Sequence, residues 1–296
     1  MIDLPKLLRI LHITEKQLTY ILDNIDKYYY LKSSPKLHKK TGLQLVDKNG
    51  KPRTRDLFPS IRLLNEVQTR INKEFLNTIK LPSYAFGGIK GRDNILNAKM
   101  HQGNKFFFNT DLRNFYPGIT HLQINKMFID NRFPTEIASI LTKLTTYKGM
   151  LPQGTSTSPY LANLAFVPAG LELQALADKH RLTFTTFVDD ITLSSKTDFQ
   201  FLDTQITDII TAKGFKISHD KTFYQTKKPK VTNVIVAPNG LYLADTYSAK
   251  IAAFEDKTTP QAKGTINYFE RVKKISRIKS SIIKKKISAA PKPKTK

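Results

Sequence analysis

The 296-residue sequence contains no cysteine and no tryptophan. Without cysteine the chain cannot form disulfides, cysteine-ligated zinc sites or iron–sulfur clusters, and it has no thiol nucleophile. No stretch approaches the ~18 consecutive apolar residues of a membrane span. Residues 1–24 also lack the basic start and long apolar core of a signal peptide. We therefore expect a cytoplasmic protein without a membrane partner, whose chemistry uses oxygen and nitrogen groups.

Acidic residues are scarce relative to basic ones. The chain has 48 Lys and Arg against 24 Asp and Glu, so its formal net charge is +24. This excess predicts a polyanionic partner, most simply nucleic acid. Residues 271–296 contain 11 Lys or Arg and no acidic residue. A run of one sign predicts contact with nucleic-acid phosphates, with a merely solvated surface as the alternative.

Hydrophobic periodicity predicts a mixed fold without internal repeats. Asn49-Gly50 predicts a basic hairpin between residues 43–46 and 51–57. The β-prone segments 183–188 and 191–195 flank Asp189-Asp190, which places two carboxylates at a hairpin tip. The remaining expected elements are helices over 2–30, 61–79, 94–101, 122–147, 159–179, 199–213 and from 247 onward, a buried strand over 105–111, and a hairpin joining 231–237 to 241–244.

Three carboxylates carry the expected chemistry. Asp111 ends one apolar strand, and Asp189 and Asp190 join two others, so one sheet can bring all three together. Close carboxylates repel each other and need cations, and oxygen ligands without a nearby His or Cys suit Mg²⁺. A pair of Mg²⁺ ions is the arrangement that supports phosphoryl transfer. In a strongly basic chain, this pattern predicts nucleotidyl transfer.

Three segments resemble core motifs of reverse transcriptases and occur in the same order along the chain: residues 109–116, 151–163 and 187–192. The resemblance covers roughly residues 51–244. It implies an α+β right-hand polymerase fold of fingers, palm and thumb, whose antiparallel palm sheet carries the catalytic aspartates. The expected division is N-terminal helices and fingers over 1–105, palm with remaining fingers elements over 106–237, thumb over 238–288, and a basic disordered tail over 289–296.

The resemblance also implies catalytic roles. Asp111 and Asp189 match the main metal ligands, Asp190 supports metal binding, and the carbonyl of Leu112 adds a ligand. The implied cofactor is a pair of Mg²⁺ ions, with Mn²⁺ as a substitute. Lys221 resembles the lysine proposed to protonate the leaving pyrophosphate, although an ordinary solvated lysine is the alternative.

Other positions match the nucleotide site of this family. Tyr116 matches the bulky residue that excludes a 2′-hydroxyl, which favours deoxynucleotides; simple packing is the alternative. Gln153 and Gly154 match the loop beside the incoming nucleotide, where a small residue permits close backbone approach. Arg53 and Arg55 on the expected fingers hairpin are candidates for binding the triphosphate, because guanidinium groups bind phosphate oxygens bidentately.

Two further segments resemble retron reverse transcriptases. Asn97 and His101 match the Asn-Ala-x-x-His motif, with a structural histidine as the alternative. Val231, Thr232 and Asn233 match the Val-Thr-Gly segment that contacts the cognate RNA, with Asn in place of Gly. Because Asn also adopts positive φ, the turn is expected to survive. All five residues are therefore expected to serve RNA binding.

The combined interpretation is an RNA-directed DNA polymerase of retron type. Such an enzyme copies a structured non-coding RNA, which is both template and primer, into RNA-linked single-stranded DNA (msDNA) from dNTPs, and it works in antiphage defence with a separate effector protein. One departure is Phe187-Val188, where many relatives have Tyr-Ala.

The alternatives to this interpretation are a non-retron defence or abortive-infection reverse transcriptase, a catalytically inactive RNA-binding module, and an RNA polymerase with a similar palm. Tyr116 disfavours the last of these.

Overall fold

The structure is a computed structural model that describes residues 2–37, 42–47 and 49–288. Helices are mixed with antiparallel strands, which confirms the expected α+β class. The helices are α1 (Leu4–Leu11), α2 (Glu15–Asp23), α3 (Arg62–Glu74), α4 (Asn94–Met100), α5 (Phe115–Gly118), α6 (His121–Asp130), α7 (Thr135–Thr145), α8 (Ser158–Lys179), α9 (Asp203–Ala212), α10 (Asp245–Ala252), α11 (Pro260–Arg277) and α12 (Ser280–Ser288). The strands are β1 (Lys32–Pro35), β2 (Thr54–Leu57), β3 (Phe106–Asp111), β4 (Thr183–Phe187), β5 (Asp190–Ser195), β6 (Phe223–Gln225), β7 (Lys230–Val231), β8 (Val234–Ala237) and β9 (Gly240–Tyr242).

Within the described part of the chain, no helix has both the length and the apolar composition needed to cross a bilayer. The expected tail over residues 289–296 lies outside the described residues.

The chain forms two compact units, and each is built from two separate stretches of sequence. The first unit comprises Met1–Lys80 and Asn114–Ala165, and the second comprises Leu81–Arg113 and Phe166–Lys296. The expected fingers, palm and thumb boundaries at residues 105 and 237 stay a prediction. Strand β3 groups with the C-terminal helices because its hydrogen-bonding partners β5 and β6 come much later in the chain.

Helices dominate the first unit. Helix α1 begins at Asp3, whose side chain accepts a hydrogen bond from the backbone of Lys6, and α2 begins with a capping box between Thr14 and Gln17. Such caps satisfy backbone donors that a helix start leaves unpaired. Helix α3 packs on both α1 and α7, and α7 packs on α6.

The expected Asn-Gly hairpin forms, with a different main pairing. Gly50 has a φ of 75°, and the Asp47 N–H donates to the Lys51 carbonyl. Segment 43–46 makes only isolated bridges among the described residues, and β2 pairs instead with β1. Residues 38–41 and Lys48 lie outside the described part of the hairpin.

An antiparallel sheet in strand order β4-β5-β3-β6 organises the second unit. Pairing of β3 with β5 sets Asp111 opposite Asp190, and pairing of β4 with β5 sets Phe187 opposite Asp190. The expected strands over 105–111, 183–188 and 191–195 are thereby confirmed. Strand β6, which pairs with β3, was not expected from the sequence.

Strands β7, β8 and β9 form another antiparallel sheet in the second unit. The expected continuous strand over 231–237 is wrong, because Thr232 and Asn233 adopt φ values of 46° and 69° and turn the chain between β7 and β8. The expected hairpin at residues 238–240 is confirmed by the pairing of β8 with β9. A buried apolar cluster joins this sheet to α4, β3 and α11, and its buried members are Ile95, Ala98, Phe107, Val231, Val234, Val236, Leu241 and Val272.

Candidate active site

The carboxylate positions converge where β3 ends and β5 begins. Asp111 and Asp190 are register partners, and the Leu112 N–H donates to the Asp189 carbonyl at 2.9 Å. Val188 and Asp189 form the two-residue turn between β4 and β5. The expected location of the paired aspartates at a hairpin tip is therefore confirmed. We call residues 187–190 the carboxylate turn.

The carboxylate turn has an unusual backbone at its first central residue. Val188 has a φ of 59°, a conformation that β-branched residues strongly avoid. A two-residue hairpin turn requires positive φ at its first position, so the short connection imposes this conformation on Val188. Local strain of this kind persists only when the surrounding structure holds it in place.

Asp111 lies in a pocket of polar groups from residues 218–221. The Lys221 ammonium donates to Asp111 Oδ1 at 2.8 Å, and the Ser218 hydroxyl donates to the same oxygen at 3.1 Å. The Ser218 N–H also donates to the Asp111 carbonyl at 2.8 Å. The Asp111 side chain is 14% exposed and that of Lys221 is 55% exposed. Lys221 can therefore move while Ser218 holds Asp111.

Ser218 was missed by sequence reasoning. It lies three residues before Lys221, in a segment whose charged residues are Asp220 and Lys221. A serine has no such signal by itself, and only the antiparallel bridge between Leu112 and Ile217 reveals that it meets the end of β3.

The carboxylate oxygens at this site are chemically suited to bind a hard divalent cation. Asp111 and Asp190 face each other, and Asp189 lies in the adjoining turn. Carboxylate oxygens of this kind are preferred ligands of Mg²⁺ and Mn²⁺. Within residues 2–37, 42–47 and 49–288, however, no three carboxylate or imidazole side chains come together as a metal-binding cluster. Asp111 instead engages Lys221 and Ser218.

A row of amide and hydroxyl groups lies on the same sheet face as Asp111. Asn109 donates through Nδ2 to Thr192 Oγ1 at 3.0 Å and accepts from Gln225 Nε2 at 3.2 Å. These bonds connect β3 with both of its neighbours. They keep the strand that carries Asp111 in register at a point two residues from the carboxylate.

The expected nucleotide-site residues lie in the first unit. The Phe58 N–H donates to the Gln153 carbonyl at 2.7 Å. Gly154 has a φ of 109° and lies against Leu57, the last residue of β2, and Pro59. The loop at Gln153 therefore adjoins the strand that carries Arg55. Arg53 and Arg55 are both exposed.

Tyr116 lies in α5 of the same unit. Its ring is half-buried and contacts the edge of the Phe115 ring, with 5.8 Å between their centroids. Phe115 is buried and anchors this short turn of helix.

The expected RNA-binding residues divide into buried and accessible groups. Asn97, His101 and Val231 are at most 1% exposed. His101 uses both ring nitrogens, at 2.6 Å from Ser194 Oγ and 2.7 Å from Thr185 Oγ1, and so connects α4 to the sheet. This burial favours the structural alternative for His101, whereas Thr232 and Asn233 are the accessible part of the set.

The turn at Thr232 and Asn233 is fastened to α4. Thr232 donates through Oγ1 to the Asn94 carbonyl, and its own carbonyl accepts from Asn94 Nδ2. Asn94 Nδ2 also donates to the Tyr268 hydroxyl on α11 at 2.7 Å. The expectation that Asn233 preserves the positive-φ turn in place of glycine is confirmed.

The sheet presents carboxylates at paired strand ends, and a lysine is hydrogen-bonded to one of them. Comparison with known families makes the assignment specific. Residues 38–237 match the family described as "Reverse transcriptase (RNA-dependent DNA polymerase)". The chain belongs to the reverse transcriptase family, whose members have a right-hand fold and generally use divalent metal ions.

Curated relatives include several retron enzymes. The chain is 34% identical over 154 residues to Retron Se72 reverse transcriptase of Salmonella heidelberg, covering 52% of this chain and 41% of that protein. It is 30% identical over 203 residues to Retron Ec86 reverse transcriptase of Escherichia coli, covering 65% and 62% respectively. For Retron Ec48 reverse transcriptase of Escherichia coli, identity is 29% over 244 residues, covering 76% and 57%. In each case the similarity spans less than two thirds of the relative.

Proposed function

We propose that this chain is an RNA-directed DNA polymerase of retron type, which copies a structured non-coding RNA into RNA-linked single-stranded DNA. The observation that carries the proposal is the register pairing of Asp111 with Asp190 in a chain of the reverse transcriptase family. Similarity to retron enzymes over more than half of the chain supports the subtype. Antiphage defence and a separate effector protein are the biological setting that this subtype implies.

In this proposal the second unit contains the palm sheet, whose strands lie within residues 106–237, and residues 238–288 form the thumb. The first unit supplies the fingers. Asp111, Asp189, Asp190 and the carbonyl of Leu112 are the groups that would hold a pair of Mg²⁺ ions, or Mn²⁺ in their place. Bound there, the metal would lower the pKa of the attacking hydroxyl and neutralise charge on the leaving oxygen.

Lys221 is proposed to donate a proton to the leaving pyrophosphate. Its ammonium group donates to Asp111 Oδ1 at 2.8 Å, which supports a role beside a triphosphate that metal ions at this carboxylate would hold. Ser218 is proposed to keep the Asp111 carboxylate oriented when Lys221 moves away. The lysine thus has two successive hydrogen-bonding partners, the carboxylate and the pyrophosphate oxygen.

Nucleotide selection is proposed for residues of the first unit. Arg53 and Arg55 would bind triphosphate oxygens, and Gln153 with Gly154 would line the base and sugar. The close approach of the Gln153 loop to the strand of Arg55 supports treating these residues as one site. Tyr116 would exclude a 2′-hydroxyl. Tyr116→Ala should therefore raise incorporation of ribonucleotides relative to deoxynucleotides, whereas an unchanged ratio would reject this gate.

The structured RNA is proposed to bind across the turn at Thr232 and Asn233 and the basic helices α11 and α12. Each phosphate contact made by a lysine steepens the salt dependence of binding. Lys279→Gln combined with Lys285→Gln should make the plot of log affinity against log salt shallower by about 1–2 units. The matched control neutralises two exposed lysines of the first unit, Lys6 and Lys16. Equal slopes in both double variants would remove these helices from the RNA site.

The test of the main proposal is to express the protein with its native flanking DNA and sequence the nucleic acid that co-purifies with it, before and after RNase and debranching treatment. A discrete DNA joined to a neighbouring structured RNA is expected. DNA without such an RNA would favour a non-retron defence reverse transcriptase.

Asp189→Asn should abolish nucleotide incorporation while the matched variant Asp208→Asn, on the exposed face of α9, retains it. Unchanged incorporation by the Asp189 variant would reject the catalytic assignment of Asp189. Bound RNA with no nucleotide incorporation by the wild-type protein would favour an inactive RNA-binding module.

A further inference from the structure

The carboxylate turn rests on a segment that the sequence did not identify, residues 84–87. The Phe86 N–H donates to the Thr186 carbonyl, and the Thr186 N–H donates to the Tyr84 carbonyl, both at 2.8 Å. These bonds place the segment beside β4 in parallel orientation. It therefore follows β4 up to the point where the carboxylate turn begins.

Gly87 closes directly against Val188. A Cβ atom on Gly87 would lie 2.4 Å from Val188 Cγ2 and 2.6 Å from the Val188 backbone nitrogen, which is far inside van der Waals contact. Gly87 does not have a left-handed φ, so glycine is needed here for space and not for backbone conformation. This contact holds the strained residue of the turn from one side.

Helix α12 supports the same segment from its other side. Phe86 is fully buried in a cluster with Ile283 and Ile287, which lie on one face of α12 at i and i+4 spacing. Phe187, the first residue of the carboxylate turn, packs against this cluster. Ile282, the neighbour of Ile283, is 57% exposed. The apolar face of α12 therefore packs on Phe86, within the segment that supports the carboxylate turn.

Arg92 fixes the segment further. Its Nη1 donates to the carbonyls of Pro82, Ser83 and Ala85, and its guanidinium lies over the Phe86 ring at 5.7 Å from the centroid. The segment is therefore a rigid connection and not a loose loop. If Phe86 were displaced by a change in α12, the segment would move Gly87, and Gly87 would move Val188.

We propose that Ile283 and Ile287 are positioning residues for polymerisation, which act through Phe86 and Gly87 to hold the carboxylate turn. The proposal rests on the proposed function of that turn. In this view α12 has two roles, because its basic side chains serve RNA while its apolar face maintains catalytic geometry. Removing α12 would then reduce the catalytic rate even on a template that does not need the basic residues.

The test compares two isoleucines that are adjacent in the same helix. Ile283→Ala and Ile282→Ala are assayed for dTTP incorporation on oligo(dT)-primed poly(rA), with circular dichroism to verify folding. Misplacement of a reacting group by about 1 Å can cost on the order of a hundredfold in rate. We expect kcat to fall ten- to a hundredfold for Ile283→Ala and to stay near wild type for Ile282→Ala, with the KM for dTTP and the RNA affinity within about twofold for both.

Ile283→Val, which keeps most of the packing, should restore most of the lost kcat. Equal kcat values for folded Ile282 and Ile283 variants would overturn the proposal. If the wild-type protein itself incorporates no nucleotide, the proposed function fails instead, so the two failures are distinguishable.

A second variant keeps the proposal testable if Ile283→Ala does not fold. Gly87→Ala introduces the Cβ that collides with Val188, far from the RNA-binding helices in sequence. Its matched control is Gly264→Ala on α11, where an added Cβ meets no atom within 4 Å. We expect a selective loss of kcat for Gly87→Ala. Wild-type kcat in a folded Gly87→Ala protein would overturn the proposal.

Discussion

Replacing His101 with alanine should destabilise the protein without weakening RNA binding by the folded molecule. The ring is fully buried, and both nitrogens are hydrogen-bonded to hydroxyls of neighbouring strands. Ser194 would keep a hydrogen bond from Asn104, whereas Thr185 would lose its partner. An unpaired buried hydroxyl costs about 1–3 kcal/mol, and the cavity left by a large side chain costs about 2–4 kcal/mol. The expected loss is about 3–7 kcal/mol, a large part of the ~5–15 kcal/mol by which domains are usually stable.

The assay is urea unfolding followed by circular dichroism, together with hydrogen exchange at the amides of residues 185 and 194. His180→Ala is the control, because that ring is half-buried and, among the described residues, contacts the exposed Phe201 edge-on without a side-chain hydrogen bond. Its cost should stay near 0.5 kcal/mol. RNA affinity is measured at fixed salt on the folded fraction of each variant. Wild-type stability combined with a loss of RNA affinity in His101→Ala would refute the structural role and restore a direct RNA contact.

Three further substitutions test separate features of the second unit. Asn233→Gly should leave the free energy of unfolding nearly unchanged. Asn233→Ala should lower it by about 1–2 kcal/mol, since alanine is strained at positive φ. Equal stability of the two variants would contradict the turn geometry. Gly264→Ala should raise stability by about 0.5–1 kcal/mol in the exposed interior of α11, and a lower melting temperature would contradict an open Cβ position. Burial, with a smaller contribution from Asp198, raises the pKa of Asp203 to about 6. The folded state therefore holds this proton more tightly, and the associated stability is present below the ordinary pKa of 3.8 and is lost as pH rises through 6. Asp203→Asn should flatten the melting temperature between pH 4 and 7 relative to wild type, and parallel profiles would reject this pKa.

The carboxylate turn could be predicted because its signals are local. Two β-prone segments separated by a pair of acidic residues leave few alternatives to a hairpin, and the aromatic run before Asp111 predicts a buried strand. The helices were equally predictable, since their apolar residues follow the helical period. The turn at Thr232 and Asn233 was predicted in part. Asn tolerates positive φ, so a turn was expected at Asn233, whereas nothing in the sequence predicts positive φ for Thr232.

The remaining features depend on contacts between distant parts of the chain. Strand β6 has only three residues and forms because β3 offers an unpaired edge. Gly87, Gly88 and Gly91 predict a loop, so segment 84–87 gives no strand signal, and its bonds to Thr186 come from about 100 residues away. The burial of His101 depends on strands that follow it by more than 80 residues, so a motif alone could not separate an RNA contact from a buried structural residue.

During synthesis, β3 leaves the ribosome well before the strands with which it pairs. Both strands that flank it in the sheet, β5 and β6, are translated afterwards. At about 5–20 residues per second, the roughly 80 residues between Asp111 and Asp190 take on the order of 4–16 s. For that time Phe106, Phe107 and Phe108 have two open strand edges, a combination that favours aggregation. Strand β3, which carries Asp111, therefore stays exposed to aggregation while the rest of the sheet is synthesised. Lower growth temperatures and chaperones that bind unfolded chains should raise the soluble yield.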